Sequence, residues 1–315
     1  MIRRELRPIP HRGGIWGTVA ALAVSILALG VPAWTGWTER VALDSFLTVT
    51  GQRPTAVTRI LSANVASDEI LLSIAPERVI GVSTLADDPR VSNVVREASL
   101  RTTKVTGDIE QVLAADPSLV VLGAHNVDLA RQVEEFGIRV IMLSGYESIE
   151  WIRTVIRTLG READVADRAE TVIATMDRRI QAVTDRVAGR PRPLVLSYSE
   201  SGYVPGRKTT MDEVIGLAGG ESLSGQLGFE GWQVLSQEQV IVNDPEVILL
   251  RGDAEWEADF HRQLTANPAF RDTRAVRNGR VYLIPGRLMV TGSHYIAETV
   301  EMLARVLHPD AFRDR

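Results

Sequence analysis

READVADRAETVIATMDRRIQAVTDRVAG, residues 161–189, is the stretch on which the architecture turns. Apolar residues recur at Val165, Ala169, Val172, Met176, Ile180, Val183 and Val187, in steps of three or four, and neither Gly nor Pro interrupts residues 161–188. That period predicts a single amphipathic helix. Asp167, Arg168, Glu170, Arg178, Gln181 and Asp185 occupy the opposite face, so the helix is half buried and half wet rather than a membrane span. About 26 helical residues run roughly 39 Å, more than the width of a small domain. The stretch therefore reads as a strut between two bodies.

On either side of it the chain reads as two matching halves. TRILSAN, ERVIGVS, SLVVLGAH and IRVIMLSGY are strand patterns, alternating with helices through VASDEILLSI, GDIEQVLA and DLARQVEEFG. Beyond the strut, PLVLSYS, PEVILLRG and GRVYLIP are strands, with helices in TTMDEVIGLAGG, LSQEQVIV, residues 256–266 and TGSHYIAETVEMLARVL. Glu110, Gln111, Val112, Asp116 and Pro117 recur as Glu238, Gln239, Val240, Asp244 and Pro245 at a constant offset of 128. Such alternation predicts an α/β fold: two similar lobes with mainly parallel sheets, joined by one long α-helix, with the ligand cleft between the lobes at the strand ends. Residues 1–33 read as a signal peptide or membrane anchor, 34–56 as a linker, 57–148 as the N-terminal lobe, 149–189 as the connecting helical segment, 190–308 as the C-terminal lobe and 309–315 as a tail.

Composition narrows the function classes. The 315 residues contain no Cys, which excludes disulfides, thiolate metal sites, cysteine nucleophiles and lipid attachment through an N-terminal Cys. A net charge of -5 argues against a general nucleic-acid binder. Arg3, Arg4, Arg7 and Arg12 precede an uncharged run over residues 13–38, and Val31-Pro32-Ala33 offers small residues for cleavage. The same run, flanked by Trp16, Trp34 and Trp37, is long enough to span a bilayer, so a retained anchor is the rival reading. Both readings place the rest of the chain outside the cytoplasm, in the periplasm. Without residues 1–33, which carry four Arg and one Glu, the 35 basic and 40 acidic residues leave a net charge of -8.

An exported chain with RILSANVASDEILLSIAPERVIGVS, GDIEQVLAADPSLVV, a spanning helix, GRKTTMDEVIGLAGGES and LSQEQVIVNDPEVILL in that order resembles the periplasmic binding proteins that deliver iron-siderophores, haem or cobalamin to ABC importers. The resemblance covers residues 57–308. It implies a binding protein rather than an enzyme, with no cofactor of its own. It also implies an iron or cobalt complex as ligand and a permease dimer as partner. In that family a Glu on top of each lobe pairs with Arg on the permease, and by motif position these residues look like Glu110 and Glu213, with Glu238 the rival for the second place. The bland reading of each is a solvated charge in the first turn of a helix.

Ligand residues are expected at strand ends: Ser83 and Thr84, His125 with Asn126, and Tyr146 in the first lobe; Tyr198, Tyr203, Arg251 and Arg287, with Trp232 nearby, in the second. An aromatic and basic cleft suits a flat or acidic ligand through stacking and charge-assisted hydrogen bonds. Family members that take cobalamin carry aromatics in the loop after the second strand, where this chain reads STLADDP. For haem, Tyr146, Tyr203 and His125 are the candidate iron ligands. Direct binding of a bare metal ion is not expected, because His125, His261, His294 and His308 are dispersed; His308 reads as a surface residue at the end of the last helix. GYVPGRKTT lacks the spacing of a phosphate loop and LSYSESG lacks the first glycine of a nucleophile elbow. Two alternatives stand beside importer delivery: a membrane-anchored binding or sensing module without a permease, and an extracytoplasmic enzyme, for which the sequence offers no nucleophile-base pair.

Overall fold

Residues 47–51, 56–145 and 147–313 are described by the computed structural model. The first lobe comprises β1 (Leu47–Thr50), β2 (Ile60–Ala63), α1 (Val65–Ile74), β3 (Val79–Ser83), α2 (Val95–Ser99), β4 (Thr103–Val105), α3 (Ile109–Ala114), β5 (Leu119–Gly123), α4 (Val127–Glu135) and β6 (Arg139–Leu143). Two helices follow, α5 (Ile149–Glu162) and α6 (Ala166–Val187). The second lobe comprises β7 (Leu194–Ser197), β8 (Tyr203–Pro205), α7 (Thr210–Leu217), β9 (Glu221–Ser222), α8 (Leu223–Gln226), β10 (Trp232–Val234), α9 (Gln237–Asn243), β11 (Val247–Arg251), α10 (Glu255–Ala266), α11 (Arg274–Arg277), β12 (Val281–Ile284), α12 (Gly286–Met289) and α13 (Ile296–Leu307).

The sheets are ordered β1-β6-β5-β2-β3-β4 and β12-β11-β7-β9. All pairs in both are parallel except β1 on β6. Leu47–Thr50, expected as linker, is thus an antiparallel edge strand. Its alternation of Leu and Val with Thr suits an edge, but four residues give too short a period to stand out from a linker. β8 and β10 form a separate antiparallel ribbon.

Period-two alternation explains why strands buried on both faces read as continuous apolar runs. Leu119 and Val121 point into one core, Val120 and Leu122 into another; Val247 and Leu249 repeat this against Ile248 and Leu250. The offset-128 repeat holds down to the backbone. β5 and β11 occupy equivalent residues, Val112 and Val240 are both fully buried, and Asp116 (φ 48°) and Asp244 (φ 46°) both take the left-handed conformation that ends the helix before the strand.

The connecting segment departs from a single rod. α5 ends at Glu162, Asp164 turns the chain with φ 49°, and α6 begins at Ala166. The two helices then lie antiparallel, with Arg153 bonded to Asp177 and Arg157 to Glu170 at 2.8–2.9 Å. Asp is one of the few residues that adopts this backbone readily, so no Gly or Pro flags the corner. Gly160 makes it possible: a Cβ there would stand 2.4 Å from the Cβ of Ala169. Gly160→Ala is accordingly expected to destabilise the fold by about 1–3 kcal/mol through overpacking, read as a lower denaturant midpoint at unchanged m-value.

α6, 22 residues and about 33 Å long, is the connector. Ala169, Ile173, Met176, Ile180, Val183 and Val187 form its buried face. Arg168 reaches Glu77 of the first lobe at 2.7 Å, and Arg179 reaches Glu301 of the second at 2.7 Å. One apolar core continues from Ile141 and Leu143 of the first sheet through Ile152, Ile173 and Met176 to Val195, Val214 and Leu303 of the second lobe. The last helix starts later than its sequence pattern suggested, because Thr291 and Ser293 turn inward to a buried carboxylate. His308 is not at the surface: it is buried, with Nε2 3.1 Å from the carbonyl oxygen of Gly219.

Candidate functional site

Parallel strands end on one side of each sheet, and the residues that follow them build two adjoining cavities. In the first lobe Ser83 at the end of β3, with Asn64, Thr84, Thr106, His125 and Asn126 after β2, β3, β4 and β5, lines a space of about 370 Å³, closed from the second lobe by Val290, Thr291 and Gly292. Close approach at this end needs the glycine of β5: a Cβ at Gly123 would stand 2.9 Å from Cε1 of His125 and 3.0 Å from Nδ2 of Asn64. The His125 Nε2 lies 3.1 Å from the side-chain Nδ2 of Asn126.

The second cavity, about 230 Å³, belongs to the second lobe and shares Val290 with the first. Tyr198, Tyr203, Trp232, Arg251, Trp256, Glu257 and Phe260 line it. Trp232, Trp256 and Tyr203 are 65%, 55% and 39% exposed, which is unusual for such large apolar surfaces in one place. Tyr198 differs: it is buried, its hydroxyl donates to the carbonyl of Leu235 at 3.2 Å, and its ring lies 6.2 Å from Phe260. Burial, with the Glu238 charge adding to it, pushes the Tyr198 phenol up from its ordinary range.

Arg251, at the end of β11, is held from behind. Its Nε lies 2.9 Å from Oε1 of Glu257 and 3.7 Å from Oδ2 of Asp253. Glu257 is 3% exposed and its other oxygen accepts from the amides of Asp253 (2.6 Å) and Ala254 (2.9 Å), which fixes the start of α10. Asp253 accepts from the amide of Gly286. Burial raises the Asp253 carboxyl above its ordinary value, although the Gly286 bond and the Arg251 charge oppose this.

Arg287 stands outside the lining of both cavities: its Nη1 donates to Oδ1 of Asn93 at 2.7 Å, across the lobes, and lies 3.8 Å from Glu298. Tyr146 lies outside the described residues, as does the N-terminal segment read as signal or anchor. Glu110 is exposed in the first turn of α3. Glu213 is exposed too, and its Oε2 accepts from the amide of Ile149 at 2.7 Å, at the N-terminus of α5, where negative charge is favoured. Glu238, in the first turn of α9, is exposed, with its carboxyl below the ordinary range because Ser236 bonds to it.

Sequence reasoning passed over Asp68 and Glu69, both fully buried in α1. Adjacent carboxylates in VASDEILL read as ordinary helix, and their burial comes only from tertiary packing. Asp68 accepts from the amide (3.2 Å) and hydroxyl (2.5 Å) of Ser83, the residue that ends β3 in the first cavity. Burial nevertheless pushes its carboxyl up to about 7. A carboxyl whose folded value is raised stabilises the fold below its unfolded value, near 4, and that contribution is lost as pH rises through about 7. This group should therefore lower the thermal midpoint between about pH 4 and 7, and Asp68→Asn should flatten that slope in a calorimetric pH series.

The sequence profile of the periplasmic binding protein family matches residues 60–288. The chain belongs to that family. It is 20% identical to an uncharacterized ABC transporter substrate-binding lipoprotein of Bacillus subtilis, over 96% of this chain and 99% of that one. It is 24% identical to a vitamin B12-binding protein of Salmonella typhi, over 63% of this chain and 74% of the relative. The crystal structure of a periplasmic heme binding protein from Pseudomonas aeruginosa superposes with a TM-score of 0.66 at 25% identity, covering 80% of this chain and 93% of that one. The family and these relatives are binding proteins. Among the described residues no helix is long and apolar enough to cross a membrane, and no group of His, Asp and Glu is placed to hold a metal ion.

Proposed function

We propose that the protein is the extracytoplasmic substrate-binding protein of an ABC importer, capturing an iron-siderophore, haem or corrinoid-type complex between its lobes and delivering it to the permease dimer. The observation that carries this reading is the exposed aromatic set Tyr203, Trp232 and Trp256 around Arg251, in a cavity that adjoins the polar first-lobe cavity across Val290. Flat apolar surface beside a fixed guanidinium suits a planar metal complex bearing oxyanion groups, and His125 and Tyr203 supply one candidate metal-facing group from each side. The similarity to vitamin B12-binding and heme-binding proteins supports a macrocyclic metal complex over a bare ion.

Glu110 and Glu213 are the proposed permease contacts, one on each lobe. Glu213 already serves the N-terminus of α5, which fixes its carboxylate in place rather than leaving it free to wander. The exported domain purified from its own host, with an absorption spectrum and mass of whatever accompanies it, tests the reading. A coloured iron or cobalt complex at one per chain supports it. Protein that arrives colourless, and in which neither hemin, cyanocobalamin nor a ferric siderophore quenches tryptophan fluorescence, overturns it.

A further inference from the structure

The strip of chain between the two cavities meets a buried carboxylate of the first lobe. Met289 and Val290 line the second-lobe cavity, while Val290, Thr291 and Gly292 line the first-lobe cavity, so this strip forms the partition between them. Glu69 lines neither cavity and lies fully buried beneath the first. Its two oxygens are divided between the lobes. Oε1 accepts from the amide and the side-chain nitrogen of Asn93 in the first lobe, both at 2.8 Å. Oε2 accepts from the hydroxyls of Thr291 (3.2 Å) and Ser293 in the second.

Asn93 extends the link: its Oδ1 accepts from Arg287 at 2.7 Å and its Nδ2 donates to the Arg287 carbonyl at 3.2 Å. The partition is thus tied before it, at Arg287, to Asn93, and at Thr291 within it and Ser293 just after it to Glu69. Apolar packing would cover this seam at less desolvation cost than a carboxylate with four donors. What the carboxylate adds is position, because four directional bonds converge on two oxygens.

We propose that Glu69 is a positioning residue of the binding cleft: it sets where residues 289–292 stand between the two cavities, and thereby how firmly a ligand is held, without touching the ligand. The inference rests on the reading of these cavities as the ligand site, but its geometric half does not depend on which ligand is bound. Glu69→Gln keeps the shape and places an amide donor against one lobe's donors. Ser293→Ala removes one second-lobe donor and leaves Glu69 intact.

The test has two arms. In ligand-free protein, hydrogen exchange of the amides of residues 289–294 should speed at least tenfold in both variants, while the amides of β2 and β5 keep wild-type protection. With hemin as probe, dissociation followed by tryptophan fluorescence should speed by a similar factor. A general loss of structure would instead raise exchange in the strands as well. Unchanged exchange at 289–294 in Ser293→Ala overturns the proposal, whether or not Glu69→Gln folds. Faster exchange with unchanged hemin dissociation also overturns it. If the wild type binds no hemin, haem is excluded as the ligand; cyanocobalamin and then a ferric siderophore become the probe on the same two criteria, and a wild type that binds none of the three overturns the proposal's ligand half together with the functional reading.

Discussion

Removing the charges of Glu110 and Glu213 together is expected to abolish ligand uptake through the permease while leaving the ligand Kd of the isolated protein unchanged. Both side chains are exposed, and neither lines a cavity, so the variant separates delivery from capture. The structure dictates the substitution. Alanine at Glu213 would also strip the Ile149 amide of its acceptor at the start of α5, a change worth about 1 kcal/mol of helix stability. Glutamine keeps an acceptor oxygen and deletes only the charge. Truncating one partner of a buried, hydrogen-bonded charge pair at an interface costs about 2–5 kcal/mol, so two such losses amount to at least about 4 kcal/mol, several hundredfold in docking affinity. Transport in reconstituted vesicles is the measurement, with the single variants as intermediate points. Wild-type uptake by Glu110→Gln/Glu213→Gln would transfer the second contact to Glu238 or remove the docking reading altogether.

Trp232→Ala is expected to weaken ligand binding by about 2 kcal/mol, roughly thirtyfold in Kd, with little effect on thermal stability. Two-thirds of this indole faces solvent, so its removal leaves no internal cavity and takes little from the core. In a bound complex the same surface would be covered, and the loss would fall on binding. Arg251→Lys should act differently from Trp232→Ala. It keeps the charge near Glu257 but gives up the planar fork, so it should penalise ligands with carboxylates more than their esters. Hemin and its dimethyl ester, titrated against both variants, distinguish stacking from anion recognition. Equal losses for acid and ester in Arg251→Lys would leave Arg251 no part in ligand choice.

The large features of this fold were legible because they rest on local patterns. Apolar runs such as LVVLG and VILLR announce strands buried on both faces, and the repeat of Glu-Gln-Val and Asp-Pro at offset 128 reappears as two left-handed Asp residues ending equivalent helices. The corner at Asp164 was not legible: no breaker residue marks it, and its cause is the contact of Gly160 with Ala169, nine residues on. The strand-end rule led to Ser83, Thr84, His125, Tyr198, Tyr203, Trp232 and Arg251, which the fold brings to the two cavities. It did not lead to Trp256, which reads as the first turn of a helix, nor to Glu69, whose partners Thr291 and Ser293 lie more than 220 residues away. Arg287 follows a strand as expected, but Asn93 draws its guanidinium across the lobes and away from the cavities.

The apolar core that runs through α5 and α6 into both sheets also sets an order of events in time. The face of α6 on which α13 packs, with Val300, Leu303 and Leu307 in the shared core, has to wait for residues late in the sequence. While the polypeptide emerges from its N-terminus, that face stays open until nearly all 315 residues have followed. An unfinished chain therefore presents a sticky surface rather than a finished half, and proteins that shield nascent segments should hold this one until its last helix arrives.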